Sequence, residues 1–169
     1  MPKYFQSIKN RDPAARHPLQ IILCYPGIRA IFWFRIAHFF YQCHLKLVGE
    51  LIMYVVRRRT GIDIHPGAQI GKRLLIDHGS GVVIGETAII GDDCTIYQGV
   101  TLGGTGKEKA KRHPTIGNRV MIGAGAKVLG NIYINDDVKI GANAVVLQSM
   151  EPHQTAIGVK AKILPKKEE

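Results

Sequence analysis

The chain has 169 residues, with 23 lysines and arginines against 13 aspartates and glutamates, which gives a formal net charge of +10. This length fits one ordinary domain, or one domain with a short appendage. Hydrophobic residues make up 46% of the chain and charged residues 21%, so a wholly disordered protein is excluded. The positive charge predicts an acidic partner: nucleic acid, an anionic membrane or a phosphorylated small molecule.

The first residues of the chain are polar and do not resemble a secretory signal. The three cysteines, Cys24, Cys43 and Cys94, show no paired spacing, so we expect a reduced, cytoplasmic protein whose cysteines pack as small buried hydrophobic residues. Residues 19–56 are rich in apolar side chains, but Pro26 and several charged residues interrupt them, and no membrane span is predicted.

Two helices are predicted before the repeat region begins. Apolar residues recur at helical spacing in two segments, which indicates helices over roughly 27–43 and 46–58. Their aromatic residues suit a packed core or a subunit contact, and a membrane-surface face is the alternative. We therefore expect residues 1–60 to form a helical cap or oligomerisation region.

From residue 62 onward, a branched apolar residue, here called an anchor, recurs at every sixth position. An eight-residue step and a fourteen-residue step break this spacing, around residues 79–81 and within 103–113. The anchors are Ile64, Ile70, Ile76, Ile84, Ile90, Ile96, Leu102, Ile116, Ile122, Val128, Ile134, Ile140 and Val146.

Hexapeptide repeats of this kind form a parallel β-helix. Three short strands and three turns make one triangular coil, and each anchor stacks on the anchor one coil away, about 4.8 Å distant. The sequence therefore predicts a mainly β fold, with the β-helix over 61–164, a loop excursion at 103–113 and a frayed tail at 165–169.

Asp63 precedes His78 by fifteen residues, close to the length of one coil, so the two residues are expected near each other on adjacent coils. A carboxylate that orients an imidazole is the arrangement of a general base with its partner. Two other interpretations remain open, with His78 as a solvated turn residue and Asp63 as a cap on the first coil. The histidines His65, His78 and His113 lack the spacing of zinc ligands, and no metal is expected.

The run Gly103–Lys107 looks like a phosphate-binding loop but does not fit the GxxxxGK[ST] pattern, and it lies between β-coils. We interpret it as an exposed loop whose basic residues are either solvated or attract an anionic substrate.

Several of these segments together closely resemble the serine O-acetyltransferase family of the hexapeptide-repeat acyltransferases. They are Asp63–Gly71 (DIHPGAQIG), Ile76–Gly79 (IDHG), Val83–Ala88 (VIGETA), Tyr97–Lys107 (YQGVTLGGTGK), Lys111–Gly117 (KRHPTIG) and Gly123–Gly130 (GAGAKVLG). The resemblance covers about residues 10–163 and implies a left-handed parallel β-helix that forms trimers, with active sites between adjacent subunits. It also implies acetyl transfer from acetyl-CoA to the hydroxyl of L-serine, in the biosynthesis of cysteine.

The resemblance assigns roles to individual residues. His78 matches the general base that takes the serine hydroxyl proton, and Asp63 matches its carboxylate partner, for direct transfer in a ternary complex. The substrate-binding positions are Asp12 and Asp77 for the amino group, Arg112 for the carboxylate, His113 as a second contact nearby, and Glu86 as a further active-site position. The acetyl-CoA positions are Gly104, Ala124, Lys139, Ala142 and Gly158.

Two features of the sequence depart from the family pattern. Many members carry a longer N-terminal helical domain that joins two trimers, so a homotrimer is expected here and the hexamer stays open. Many members also end in an isoleucine that inserts into cysteine synthase, whereas this sequence ends in Lys-Lys-Glu-Glu, which argues against that complex. Feedback inhibition by L-cysteine is expected through the groups that hold serine.

Two other functions remain open. One is acyl transfer by a different hexapeptide O-acyltransferase, to a sugar or to homoserine, although a sugar would not need carboxylates and a guanidinium at positions that suit a zwitterion. The other is a non-catalytic β-helical scaffold. Nucleic-acid binding is not expected, because the repeat region has no stacking aromatic platform.

Overall fold

The computed structural model describes residues 2–106 and 109–159, so the predicted tail at 165–169 lies outside the described residues. In this part of the chain, four helices come first and short strands follow. The helices are α1 (Pro2–Arg11), α2 (Pro18–Cys24), α3 (Pro26–Gln42) and α4 (Lys46–Thr60). The strands are β1 (Asp63–Ile64), β2 (Gln69–Ile70), β3 (Leu75–Ile76), β4 (Val83–Ile84), β5 (Ile89–Ile90), β6 (Thr95–Ile96), β7 (Thr101–Gly103), β8 (Thr115–Ile116), β9 (Met121–Ile122), β10 (Lys127–Leu129), β11 (Tyr133–Ile134), β12 (Lys139–Ile140), β13 (Val145–Val146) and β14 (Thr155–Ala156).

The two predicted helices are confirmed as α3 and α4. Helix α3 begins with Pro26 in its first turn, where the missing N–H costs nothing, and α4 ends at Gly61, whose φ of 71° suits glycine. Helices α1 and α2 were not predicted, because both are short and α1 is mostly polar. Helix α2 starts with a capping box between His17 and Gln20.

The strands form three parallel sheets that make the sides of the predicted β-helix. The first sheet has the order β1-β4-β7-β10-β13, the second β2-β5-β8-β11 and the third β3-β6-β9-β12-β14. Anchors stack as predicted, for example Ile64 on Ile84 and Ile84 on Leu102. All thirteen anchors are buried, so the six-residue period identifies residues of the hydrophobic core.

The prediction that the chain is irregular after Val146 was wrong. Met150 bridges to Ile134 of the second sheet, and β14 pairs with β12 of the third sheet, so the coils continue. The step from Val146 to Met150 is four residues, and a small Ala156 takes the next inward position. The six-residue spacing therefore did not predict this shortened coil.

Three columns of turns form the corners of the triangular coils. The His78 corner joins the third sheet to the first and contains residues 77–82, 97–100, 123–126 and 141–144. The Arg112 corner joins the first sheet to the second and contains residues 65–68, 85–88, 104–114 and 130–132. The Asp93 corner joins the second sheet to the third and contains residues 71–74, 91–94, 117–120 and 135–138.

Helices α3 and α4 close the first coil of the β-helix. Phe34 of α3 and Met53 of α4 share one buried cluster with the coil residues Ile62 and Ile64. A side chain at Gly27 would collide with Ile76, so glycine permits α3 to approach the coil closely. The hydrophobic core therefore runs without a break from the helical region into the coils.

Helix α1 is fixed to the Asp93 corner by Arg11. Its guanidinium donates hydrogen bonds to the carbonyl oxygens of Arg73, Asp93 and Cys94, at 2.6 to 2.9 Å. Ser7 adds a hydrogen bond to the Asp93 carboxylate at 2.8 Å. These bonds place Asp12, which directly follows α1, against the coils.

The cysteines differ in environment. Cys94 is buried, and burial raises the pKa of its thiol to about 11, which fits the predicted packing role. Cys24 and Cys43 are exposed at the ends of α2 and α3, so the prediction of burial was wrong for these two. Neither position belongs to the six-residue repeat, where inward positions can be read from the sequence.

Among the described residues no single helix is long and apolar enough to cross a membrane. Helices α2 and α3 meet the length and composition criteria only as a pair that is bent by 74°. Of the predicted aromatic groups, Phe34 is buried, whereas Phe32, Trp33 and Phe39 are exposed.

Candidate functional site

His78 projects from a widened turn at the His78 corner. The two-residue insertion found in the sequence gives this turn three residues with positive φ, namely His78 at 59°, Gly79 at 76° and Gly81 at 74°. In the coils below, Gln98 and Ala124 occupy the corresponding place without a positive φ. The bulge leaves the imidazole 73% exposed, with Nε2 4.0 Å from the Asp77 carboxylate. His78 is therefore the most accessible titratable ring at this corner.

Asp12, like Asp77 of this turn, lies near Tyr25, and both of its carboxylate oxygens are engaged. Oδ1 accepts a hydrogen bond from the Ala14 backbone N–H at 2.8 Å, and Oδ2 accepts one from the Tyr25 hydroxyl. Burial, the hydrogen bond to Asp12 and the nearby charge of Asp77 raise the pKa of Tyr25 to about 12. Tyr25 therefore keeps its proton at neutral pH and holds Asp12 in place. Of the predicted site residues, Asp12 and Asp77 thus lie near one tyrosine, and His78 lies next to Asp77.

Asp63 lies one coil away from this turn, as its spacing predicted. The Gly61 carbonyl accepts a hydrogen bond from the Gly81 N–H at 2.9 Å, and the Asp63 N–H donates to the Val82 carbonyl at 2.9 Å. The Asp63 carboxylate itself forms an ion pair with Arg57, at 3.0 Å. Among the described residues it forms no ion pair with His78, so their pairing as a catalytic dyad stays a prediction.

Glu86 and Arg112 form an ion pair at the Arg112 corner. Arg112 Nη2 lies 2.7 Å from Glu86 Oε2, and the Tyr41 hydroxyl donates to Glu86 Oε1 at 3.1 Å. The Arg112 guanidinium is the main cause that lowers the pKa of Glu86, so this carboxyl is ionised at neutral pH. Glu86 and Arg112, which both have predicted roles at the substrate, thus contact each other, and Tyr41 of α3 holds Glu86 in place.

His113 is nearly buried beside this pair, with 8% of its surface exposed. Its Nδ1 atom lies 2.8 Å from the Thr87 hydroxyl and accepts a hydrogen bond from the Thr87 backbone N–H at 3.2 Å. Burial, and then the charges of Arg112 and Lys111, lower the pKa of His113. His113 is therefore neutral at neutral pH and acts as a hydrogen-bonding group.

The described part of the loop excursion is tied down at its far end. The Lys111 ammonium donates to the carbonyl oxygens of Thr87, at 2.7 Å, and of His113. Gly104 stands at the start of the excursion, and its Cα lies close to the backbone of Arg112, since an added Cβ would come within 3.1 Å of the Arg112 carbonyl. The predicted loop is thus anchored where it presents Arg112 and His113.

Three of the predicted acetyl-CoA positions form a row along the lower His78 corner. Ala124 accepts a hydrogen bond from the Asn143 N–H at 2.8 Å, and Gly158 packs against the Ala142 carbonyl. Lys139 is exposed on the third sheet, at the start of β12. Gly104, the fifth position, lies at the Arg112 corner and does not join this row within one chain.

The predicted site residues therefore fall into two clusters at different corners. The His78 cluster contains Asp12, Asp77 and His78, and the Arg112 cluster contains Glu86, Arg112 and His113. No hydrogen bond or ion pair links the two clusters among the residues that the structure describes. Sequence reasoning missed their supporting residues, which are Tyr25, Tyr41, Thr87 and Lys111. Of these, only Thr87, next to Glu86 at a corner, has a position in the repeat that could have drawn attention.

No group of three or more histidine, cysteine, aspartate or glutamate side chains among the described residues is arranged to hold a metal ion. His65 and His113 share the Arg112 corner, where burial lowers the pKa of both imidazoles.

Comparisons with known proteins agree on one family. Residues 113–148 match the family model described as bacterial transferase hexapeptide (six repeats). A serine acetyltransferase of Helicobacter pylori is 56% identical over 161 residues, which cover 95% of this chain and 94% of that protein. A serine acetyltransferase of Synechococcus elongatus is 54% identical over 160 residues, which cover 95% of this chain and 66% of that protein.

A solved structure extends the likeness to the fold. The crystal structure of serine acetyltransferase isoform 3 of Entamoeba histolytica, in complex with cysteine, superposes with a TM-score of 0.93 and 46% identity. The match covers 99% of this chain and 60% of the Entamoeba chain. The chain thus spans about two thirds or less of some relatives and almost all of others.

Proposed function

The chain belongs to the serine acetyltransferase family, and from that premise we propose that it transfers the acetyl group of acetyl-CoA to the hydroxyl of L-serine. The products are O-acetyl-L-serine and CoA. The observation that carries this proposal is the division of the site into two clusters of complementary chemistry. Carboxylates stand at the His78 corner and a guanidinium stands at the Arg112 corner, which are the groups that the two ends of a zwitterion require.

In the proposed reaction, His78 is the general base. Its imidazole takes the proton of the serine hydroxyl, and the oxygen attacks the thioester carbonyl carbon of acetyl-CoA. The carbon–sulfur bond then breaks, and the thiolate of CoA leaves and accepts a proton. Because no acyl group rests on the protein, the transfer is direct and needs no cysteine nucleophile. Asp63 orients the imidazole, and we propose that it exchanges its partner Arg57 for His78 to do so.

The substrate is held by its two charged ends. Asp12 and Asp77 bind the ammonium group of serine, and the hydrogen bond from Tyr25 supports the first of these contacts. Arg112 and His113 bind the carboxylate, and Glu86 orients the guanidinium of Arg112 from the other side. A sugar has neither an ammonium group nor a carboxylate, so it would not use these charged contacts and fits this site less well.

We propose that two neighbouring copies of the chain complete each site. The His78 and Arg112 corners of one chain lie on different edges of the prism, whereas a cyclic trimer brings the His78 corner of one subunit against the Arg112 corner of the next. In this arrangement residues 1–60 cap the coils and residues 61–164 form the catalytic domain. We propose a homotrimer, and the hexamer stays open.

We propose that acetyl-CoA binds along the lower His78 corner. The small side chains of Ala124 and Ala142, together with Gly158, leave the turn surface accessible to the pantetheine arm. Lys139 and the net charge of +10 favour the phosphates of the cofactor. We include no metal in the proposed site.

Regulation and location follow from the same chemistry. L-cysteine has the ammonium and carboxylate groups of serine, so we propose that it competes for the same contacts, and the Entamoeba relative was solved with cysteine.

We propose a cytoplasmic protein, in which exposed thiols such as those of Cys24 and Cys43 stay reduced. A complex with cysteine synthase is not included, and nucleic acid and membrane are not proposed as partners.

A serine-dependent thiol-release assay on the purified chain tests the proposal. We expect CoA release from acetyl-CoA with L-serine, and much slower release with homoserine or a galactoside. Release that does not depend on serine but depends on one of the other acceptors would replace serine as the substrate. No release with any acceptor and no CoA binding by calorimetry would favour a non-catalytic scaffold.

A further inference from the structure

His113 is held at one ring nitrogen by a single residue. Thr87 contributes both its backbone N–H, 3.2 Å from His113 Nδ1, and its hydroxyl, 2.8 Å from the same atom. The backbone N–H can only donate, so Nδ1 accepts this hydrogen bond and carries no proton. The backbone N–H and the hydroxyl of Thr87 therefore both contact the Nδ1 edge of the imidazole.

The direction of the hydroxyl contact follows from the other bonds of the Thr87 oxygen. Oγ1 accepts hydrogen bonds from the Arg112 N–H at 3.0 Å and from the His113 N–H at 3.2 Å. A hydroxyl has two lone pairs and one proton, and these two bonds use both lone pairs. The remaining proton points to His113 Nδ1, so the hydroxyl also donates to it.

The proton of neutral His113 must then lie on Nε2. Among the described residues Nε2 has no hydrogen-bond partner, yet it is not sealed from solvent. A side chain at Gly85 would collide with Nε2, so glycine opens the space in which this edge of the ring lies. The ring therefore keeps one donor at the Arg112 corner that has no partner among the described residues.

The charges around the ring favour this neutral donor. Arg112 and Lys111 oppose a positive charge on the ring, as does burial, whereas Glu86 favours it. His65 from the coil above adds a weaker opposing effect. On balance the pKa of His113 is lowered, so the imidazole rather than the imidazolium faces the substrate.

We propose that Thr87 is a positioning residue that fixes His113 in the Nε2–H tautomer, so that His113 donates a hydrogen bond to a carboxylate oxygen of the amino-acid substrate beside Arg112. This inference rests on the proposed function, since it names the role of one group in serine binding. It gives the site a neutral donor with a defined direction next to its cationic one. A carboxylate accepts both, whereas an ammonium group accepts neither.

The tautomer is measurable without any activity. The full-length protein labelled with ¹⁵N-histidine gives long-range ¹H–¹⁵N spectra in which the two tautomers differ, and His113→Gln identifies the His113 signals by their loss. We expect a pyrrole-type signal for Nε2 and a pyridine-type signal for Nδ1 at neutral pH. A proton on Nδ1, or a doubly protonated ring, would overturn the proposal.

Thr87→Val and Thr87→Ser separate positioning from mere packing. Valine keeps the shape and the backbone N–H but removes the hydroxyl, so one of the two donors to Nδ1 remains. We expect a reduced but not abolished Nε2–H fraction and a KM for serine that is higher by about 10-fold, with a smaller change in kcat. Serine keeps the hydroxyl and should bring both readouts back toward wild type. Unchanged tautomer and KM in Thr87→Val, in a protein that stays folded by circular dichroism, would overturn the role of Thr87. An Nε2–H signal without serine-dependent CoA release would overturn the proposed function instead.

Discussion

The two corner clusters differ in how their groups are held. His78 is 73% exposed on a widened turn, and its only ion pair among the described residues is the long contact with Asp77. At the Arg112 corner, Arg112 pairs with Glu86 at 2.7 Å, and His113 is 8% exposed and fixed by Thr87. The first cluster is anionic and leaves its imidazole exposed, whereas the second cluster is preorganised around a guanidinium.

This difference fits two different tasks. A group that binds a carboxylate gains from fixed geometry, because the free energy of ordering it is spent during folding. A general base must reach a hydroxyl that arrives with the substrate, and hydrogen bonds at a catalytic base often tighten only once the substrate is bound. We infer that the Arg112 corner holds the substrate carboxylate, and that the His78 corner holds the ammonium group and performs the chemistry.

The sharpest test of this division removes the base. His78→Asn keeps a short polar side chain that tolerates the positive φ of 59°, so backbone strain is avoided. We expect kcat to fall roughly 10²- to 10⁴-fold while the KM for serine changes little. Steady-state thiol release measures both constants, and size-exclusion chromatography shows whether the assembly persists. A kcat near that of wild type would place the base elsewhere.

The second test asks whether the two clusters act across chains. His78→Asn and Arg112→Gln are each expected to be nearly inactive, but co-expression with two different tags yields mixed trimers that both affinity steps retain. In a closed trimer of two kinds of chain, about one interface in three joins an intact His78 to an intact Arg112. We therefore expect about one third of wild-type activity.

Two controls make this complementation result decisive. Purified single variants that are mixed after assembly should stay inactive unless subunits exchange. Mixed trimers that are as inactive as the single variants would show that one chain supplies both clusters, and the proposal of a shared site would fail.

The sequence revealed the β-helix because its signal is periodic. Each anchor must point inward in every coil, so the six-residue spacing predicts which side chains are buried. All thirteen anchors are buried. The shortened coil at Met150 was missed for the same reason, since it breaks the period. Helix α1 was missed because Arg11 holds it by hydrogen bonds to the coils, which leave no pattern within the helix.

The candidate site was predictable only in part. Resemblance pointed to Asp12 and His78, but it did not indicate that Tyr25 would donate to Asp12 from another helix. Likewise, nothing in the spacing relates Asp63 to Arg57 instead of His78. Such contacts depend on how the helices pack on the coils, and side-chain partners across separate elements are not encoded in a local period.

The third test concerns the support that Tyr25 gives to the His78 cluster. Tyr25→Phe removes one of the two hydrogen bonds that hold the Asp12 carboxylate, and the bond from Ala14 remains. We expect the KM for serine to rise roughly 2- to 12-fold, with kcat less affected. Tyr54→Phe, on the exposed face of α4, is the matched control. A KM that stays the same or falls would mean that Tyr25 does not position Asp12.

The smallest expected effect concerns the exchange of partners by Asp63. Arg57 and Asp63 are 50% and 42% exposed, and an exposed ion pair contributes only about 0.2 to 1 kcal/mol. If Asp63 must leave Arg57 to orient His78, Arg57→Gln should raise kcat by up to about 5-fold. Arg58→Gln is the control, because Arg58 contacts the Tyr54 hydroxyl and not Asp63.

The same variant separates two roles of Arg57. In the Arg57→Gln background, Asp63→Asn should lower kcat more than it does in the wild type, since only the freed carboxylate spends its full time on His78. A 10-fold fall in kcat for Arg57→Gln alone would reverse the interpretation. Arg57 would then hold Asp63 in its working position, and the His78 corner would be as firmly built as the Arg112 corner.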